Sequence, residues 1–159
     1  MTTVPSFRDW QLTGISLLAY GMVALAIGIP SQFLQWTTPV DHWPQVLVKT
    51  LFVPAIFEET VFRGLLLPHP QESPKRPYLW GSINLFVFVI YHPINGLIFY
   101  EPGYYVFRNP YFLILATLLG LTCILLYQRT GSIWPPVVIH WIVVMVWICL
   151  LGGMAQLQL

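Results

Sequence analysis

Apolar residues run through this chain in long stretches, each separated from the next by a short polar or proline-containing segment. A helix needs about 20 mostly apolar residues to cross the hydrocarbon core of a bilayer. By that rule the chain holds about five candidate spans, near residues 12–33, 46–67, 78–92, 111–127 and 131–151. The pattern therefore predicts an all-α fold, a polytopic transmembrane helix bundle.

The composition supports a membrane protein and argues against nucleic acid as a partner. Hydrophobic residues make up 57% of the chain and charged residues only 8%, whereas about a quarter of an average soluble protein is charged. The net charge of +1 supplies no basic field to hold a phosphate backbone. A length of 159 residues predicts one domain, over 1–159, with the lipid membrane as its surroundings.

Positive residues at the ends of the predicted spans indicate an orientation. With five spans and the N-terminus inside, four cationic residues fall on the cytoplasmic side and two on the other side. The cytoplasmic group is Arg8, Lys75, Arg76 and Arg129, and the opposite group is Lys49 and Arg108. We therefore expect a cytoplasmic N-terminus.

Two prolines predict irregular helices. Pro54 should kink the second span one turn before Glu58, because it cannot donate a helical hydrogen bond. Pro93 disfavours helical torsions at His92, so a kink or a helix end is expected there.

Several other polar or reactive side chains are interpreted as structural. The fourth stretch is almost wholly apolar and contributes no candidate chemistry. His42 and His69 fall in loops and are interpreted as interfacial bystanders. Cys123 and Cys149 lie inside apolar runs without metal-like spacing and are interpreted as small hydrophobic residues.

The second stretch carries two carboxylates and a guanidinium, Glu58, Glu59 and Arg63, in an otherwise apolar run. Ionised side chains at bilayer depth persist mainly where they pair, line a wet cavity or carry function. Glu59 and Arg63 are four residues apart and can pair on one helix face. Glu58 projects about 100° away around the helix, which leaves it free for proton transfer. The alternative is a structural ion-pair cluster that only joins helices.

His92 and His140 stand on two further predicted helices. Together with Glu58 or Glu59 they can position a water, since a carboxylate removes its proton while an imidazole orients it. Glu58, His92 and His140 could instead hold a zinc ion, although the sequence has no HExxH motif. Each histidine could also simply bridge helices by hydrogen bonding.

These residues fall into ordered motifs, which are Glu58-Glu59-x-x-x-Arg63, Phe88-x-x-x-His92, and His140 after Gly131-Ser132-Ile133-Trp134-Pro135. The set resembles that of the CPBP intramembrane proteases, also called Abi, which include the type II CAAX prenyl endopeptidases. The motif-bearing core would cover about residues 46–151.

The resemblance implies roles for five catalytic-site residues. Glu58 would activate water with assistance from His92, while Glu59 and Arg63 would support the site. His140 would help to stabilise the oxyanion of the tetrahedral intermediate. The implied enzyme is a glutamic intramembrane endopeptidase without a metal or other cofactor, and its substrate is a peptide or a lipidated, possibly prenylated, protein.

One position departs from the family pattern. The family usually has Asn or Asp four residues after the last histidine, where this chain has Val144. Loss of an oxyanion donor costs about two to three orders of magnitude in rate, unless another group such as Asn95 replaces it. The alternative function is a non-catalytic membrane scaffold, or a bacteriocin-immunity-type protein, that keeps the polar cluster for packing and acts by binding a partner.

Overall fold

The computed structural model describes residues 3–39, 41–72 and 75–159, and the regular elements in these ranges are all helical. The α-helices are α1 (Phe7–Gly28), α2 (Trp43–Thr50), α3 (Phe57–Glu59), α4 (Pro77–Ile98), α5 (Pro110–Thr130), α6 (Trp134–Leu150) and α7 (Gly153–Leu157). The prediction of an all-α membrane bundle is confirmed.

Within the described residues, three helices are long and apolar enough to cross a membrane: α1, α4 and α5. The apolar helix α6 is shorter, at 17 residues. The predicted second span is not one straight helix, because a kink at Val53 divides it into two helical segments. The number of crossings and the cytoplasmic N-terminus stay predictions.

The second apolar stretch is broken where proline predicts a kink. Wide π-helical turns at Leu51–Ile56 and Thr60–Leu65 flank the short α3. Val53 has extended torsions (φ −134°, ψ 113°) directly before Pro54, because a proline ring crowds the helical conformation of the preceding residue. The predicted kink at Pro54 is therefore confirmed, and it turns α3 into the bundle.

Helix α4 continues past Pro93 to Ile98, so the third stretch does not end at His92. Of the two alternatives expected at this proline, a kink or a helix end, the helix end is wrong. Proline removes a single helical hydrogen bond, and membrane helices tolerate that loss when neighbouring groups compensate. Helix α4 packs along α5, and this packing keeps His92 in a regular turn.

Helix α5 is the centre of the bundle and packs against α1, α4 and α6. One continuous core contains Leu115, Leu119 and Leu126 of α5 with Ile139 and Ile148 of α6. Helix α5 is therefore the element against which α1, α4 and α6 pack.

The two cysteines are both buried and free. Cys123 lies in the same core as the leucines of α5, and so does Cys149 of α6. Their burial agrees with the interpretation of both side chains as small hydrophobic residues.

The sequence suggested that His69 is an interfacial loop residue without a structural role, and this interpretation is wrong. Its side chain is buried, and its Nε2 donates to the Gly131 carbonyl at 3.0 Å. Its ring packs edge-on against Tyr127. The histidine therefore ties the loop before α4 to the turn between α5 and α6.

Asn84 joins α4 to the turns that follow α3. Its buried Nδ2 donates to the Phe62 carbonyl at 2.5 Å. Because this bond crosses between helical segments in an apolar setting, it acts as the helix-joining contact expected of a polar membrane residue.

We predict that Asn84→Ala lowers the stability of the bundle by about 1 kcal/mol, because the interhelical hydrogen bond is lost. Thermal unfolding of the purified protein in detergent measures the effect. Ser82→Ala is the matched control, since Ser82 is exposed on the same helix and should unfold at the wild-type temperature. Equal unfolding temperatures for Asn84→Ala and wild type would contradict the prediction.

Candidate functional site

A cavity of about 700 Å³ lies between α1 and the segment from α2 to α3, with α4, α5 and α6 as its other walls. The lining includes Glu58, His92 and His140. Three residues far apart in sequence thus face one space, although each stands on a different helix. The kink before α3 is what brings Glu58 to this wall.

Glu59 and Arg63 lie behind the cavity wall in a fully buried ion pair. The Arg63 Nε is 3.1 Å from Glu59 Oε2, with both side chains wholly buried. The second Glu59 oxygen, Oε1, is 2.7 Å from His140 Nδ1. Nη2 of Arg63 donates to the Gly120 carbonyl at 3.0 Å. This network joins α3 and the turn after it to α5 and α6.

Glu58 has a different environment from its neighbour. Its Oε2 lies 3.9 Å from His140 Nε2, which is beyond direct hydrogen-bond range. Within the described residues that oxygen is buried and has no hydrogen-bond partner. Glu59 pairs with Arg63 and Glu58 points elsewhere, as the helical spacing predicts.

The imidazole protons can be placed from the contacts of each Nδ1. His92 Nδ1 lies 2.8 Å from the Phe88 carbonyl, which only accepts, so this nitrogen carries a proton. His140 Nδ1 faces Glu59, which is already paired with Arg63, so it too is the donor. A neutral imidazole has one N–H, and each Nε2 is then an acceptor.

Phe88 holds the charged and titratable groups in position. Its ring is 1% exposed and lies edge-on to His92, at 4.8 Å between centroids, and to His140, at 6.2 Å. The Arg63 guanidinium lies 4.6 Å from the ring centroid, an arrangement in which the negative face of the ring attracts the cation. Phe88 is therefore more than a spacer in its motif.

The fourth stretch, from which no candidate chemistry is predicted, supports the site through its backbone. Gly120 of α5 supplies the carbonyl that accepts from Arg63. An added Cβ at Gly120 would lie 2.8 Å from the Phe88 ring, so glycine also makes room for that ring. The available signal was an isolated glycine inside an apolar helix, which often marks a packing requirement.

The residues of this site do not form a ready metal centre. Glu58, His92 and His140, the ligands of the zinc alternative, share the cavity wall. In the ranges that the structure describes, no three His, Cys, Asp or Glu side chains are arranged to hold a metal ion.

Val144 also lines the cavity, one turn after His140 on α6. Its isopropyl group offers no hydrogen bond to the space that Glu58 faces. Tyr91 and Asn95 of α4 line the same cavity. Position 144 therefore faces the cavity without the polar group that the family pattern usually has there.

Comparison with known proteins finds one family. A family model described as type II CAAX prenyl endopeptidase Rce1-like matches residues 39–146, from the linker before α2 to the last turns of α6. No curated protein and no solved structure matches the chain. The matched range contains Glu58, Glu59, Arg63, His92 and His140.

We predict that Gly120→Ala destabilises the protein by about 1–3 kcal/mol, the usual cost of overpacking, because the new methyl group displaces Phe88. Unfolding temperature in detergent measures this change. Gly14→Ala on α1 is the control, since no atom lies within 4 Å of its added Cβ. The control should be neutral or slightly stabilising, because alanine favours helix over glycine. The same shift in both variants would contradict the role given to Gly120.

Proposed function

The chain belongs to the Rce1-like family of type II CAAX prenyl endopeptidases, and we propose that it hydrolyses a peptide bond in the membrane with a water activated by Glu58. The match over residues 39–146 confirms the family resemblance noted in the sequence. The observation that carries the proposal is the Glu58 carboxylate, which faces one cavity together with two imidazoles and whose Oε2 has no hydrogen-bond partner among the described residues.

The reaction begins with a water held beside Glu58 Oε2 and His140 Nε2. Glu58 takes a proton from this water while the oxygen attacks the carbonyl carbon of the substrate. The tetrahedral intermediate then collapses, the C–N bond breaks, and Glu58 returns the proton to the leaving amine. His92 accepts a hydrogen bond from the water through its Nε2 and orients it.

Glu59 and Arg63 act as positioning residues. Glu59 fixes the His140 ring by accepting from Nδ1, which directs Nε2 toward Glu58. Arg63 compensates the charge of Glu59. A carboxylate that is already paired in this way is a poor base, so proton transfer falls to its neighbour.

The proposed substrate is a peptide or a lipidated protein that enters from the bilayer. Exposed apolar side chains at the edge of the cavity include Trp36, Val53 and Phe57. The space therefore reaches the outer surface of the bundle beside the kink. Cavities of about 300–1,000 Å³ suit a ligand of small-molecule size, and a prenylated C-terminus is the candidate that the family description favours.

The second candidate function is the non-catalytic membrane scaffold. Val144 supports it, because an apolar residue stands where the family usually has a polar one. A scaffold accounts for Glu59, Arg63 and His140, which are paired with one another. It gives no reason for Glu58 to line the cavity, where its Oε2 has no hydrogen-bond partner among the described residues.

We predict that the purified protein in lipid vesicles cleaves a fluorogenic farnesylated CAAX peptide, and that Glu58→Gln and His92→Ala lower kcat/KM. A general base contributes about 10²–10⁴-fold to rate, so the loss for Glu58→Gln should be at least about 100-fold. Glu72→Gln is the matched control, since Glu72 is an exposed loop carboxylate. Equal turnover by wild type and Glu58→Gln would remove the enzyme proposal.

We also predict that chelators leave cleavage unchanged, because water activation is assigned to Glu58 rather than to a metal. The measurement is the initial rate before and after incubation with 1,10-phenanthroline and with EDTA. Inhibition that added zinc reverses would favour the zinc alternative instead.

A further inference from the structure

We propose that Lys49 binds the C-terminal carboxylate of the substrate at the edge of the cavity, and that it thereby selects peptides that are cut near their free end. The inference rests on the proposed function and deepens it, because it names a specificity-determining residue for that reaction. Lys49 contacts the substrate away from the scissile bond and takes no part in proton transfer.

Lys49 is the single lysine or arginine in the cavity lining, as far as the structure describes the chain. It stands in the last turn of α2 and its side chain is exposed, which places it at the edge of the cavity. In the described ranges the ion pairs join the two glutamates to Arg63 and His140, and none involves Lys49. Its ammonium is therefore available to an anion that enters the cavity.

Helix α2 is held beside the reacting groups. The Leu47 carbonyl accepts a hydrogen bond from Trp141 Nε1 at 2.9 Å. Since Trp141 directly follows His140 on α6, this bond fixes α2 at the level of the His140 ring. Lys49 is two residues further along α2, so it lies near the reaction space rather than at a distant end of the cavity.

Gln45 supplies a second donor on the same face of α2. It lies four residues before Lys49, and residues with this spacing are neighbours on a helix surface. Both side chains line the cavity and both are exposed. A carboxylate accepts several hydrogen bonds, so an ammonium and an amide one turn apart suit it.

The two charged groups of the lining favour one orientation of the substrate. Among the described lining residues, Glu58 is the one carboxylate and Lys49 the one ammonium. Apolar walls of low dielectric strengthen the field that such charges produce. A peptide whose negative end lies at Lys49 keeps that end away from Glu58, and like-charge repulsion is avoided while its carbonyl meets the reacting groups.

The separation of these groups limits the length of peptide between them. Lys49 and Glu58 are nine residues apart, which corresponds to at most about 15 Å of helical backbone with one extended residue at the kink. An extended peptide rises about 3.3 Å per residue. The bound carboxylate should therefore lie within about four or five residues of the scissile bond.

The test compares two forms of the farnesylated peptide in phosphatidylcholine vesicles, one with a free C-terminal carboxylate and one with a C-terminal amide. Wild type should cleave the acid with about tenfold higher kcat/KM, the effect expected of one charge-assisted hydrogen bond. Lys49→Met keeps an unbranched side chain without the charge. It should raise KM for the acid about tenfold and leave the amide within about twofold, so that the preference disappears.

Two variants and one longer peptide serve as controls. Lys49→Arg should keep the preference for the acid. Lys75→Met removes an exposed lysine that does not line the cavity, and it should match wild type. An acid peptide extended by about ten residues places its carboxylate out of reach, so Lys49→Met should not affect its cleavage. A purely structural role of Lys49, such as compensation of the helix dipole at the end of α2, would affect acid and amide equally.

The outcomes separate this inference from the proposed function. If wild type cleaves, Glu58→Gln does not, and Lys49→Met keeps the preference for the acid, the role of Lys49 is overturned while the proposed function stands. If Lys49→Met slows acid and amide alike, and only in vesicles that contain phosphatidylglycerol, Lys49 binds a lipid phosphate and the inference is overturned as well.

Binding decides the inference if the protein does not cleave. The fluorescence of a dansyl-labelled peptide then measures the affinity of Glu58→Gln, with and without Lys49→Met, for the acid and the amide. Tighter binding of the acid that Lys49→Met abolishes supports the inference, even if the proposed function has failed. Equal binding of acid and amide when Lys49 is present overturns it.

Discussion

The buried contact between Arg63, Glu59 and His140 is the constraint on which the rest of the structure depends. Taking these charges out of water costs several kcal/mol each, so the network persists only because its members compensate one another. It also connects α3 to α5, through the Gly120 carbonyl, and to α6, through the His140 ring. The charges thereby determine where α6 and the α3 segment meet.

The network gives the two adjacent carboxylates different roles, because Glu59 belongs to it and Glu58 faces the cavity. Helical geometry turns Glu59 toward Arg63 and Glu58 toward the cavity, so the first is held by Arg63 and His140 while the second lies 3.9 Å from His140 Nε2. Functional groups that are buried without partners reduce stability, and proteins commonly accept this cost at active sites. Glu58, whose Oε2 lacks a hydrogen-bond partner among the described residues, is therefore the strongest structural argument that the site does chemistry.

Local spacing predicted what depends on local geometry. The i, i+4 relation gave the Glu59–Arg63 pair, Pro54 gave the kink, and ordered motifs gave the family whose model matches most of the chain. Contacts between distant residues were not predicted, because periodicity carries no information on them. The Arg63 to Gly120 bond joins residues 57 positions apart, and burial of His69 depends on the turn at Gly131.

The central claim is that Glu59 has a structural role and Glu58 a functional one. The unfolding temperatures of Glu58→Gln and Glu59→Gln, measured side by side in detergent, test this claim most directly. Removing one partner of a buried ion pair costs about 3–5 kcal/mol, so Glu59→Gln should unfold many degrees below wild type. Glu58→Gln replaces a carboxylate whose buried Oε2 has no hydrogen-bond partner among the described residues, so it should unfold at or above the wild-type temperature. Equal destabilisation by the two substitutions would contradict the account, because Glu58 would then be a structural member of the network.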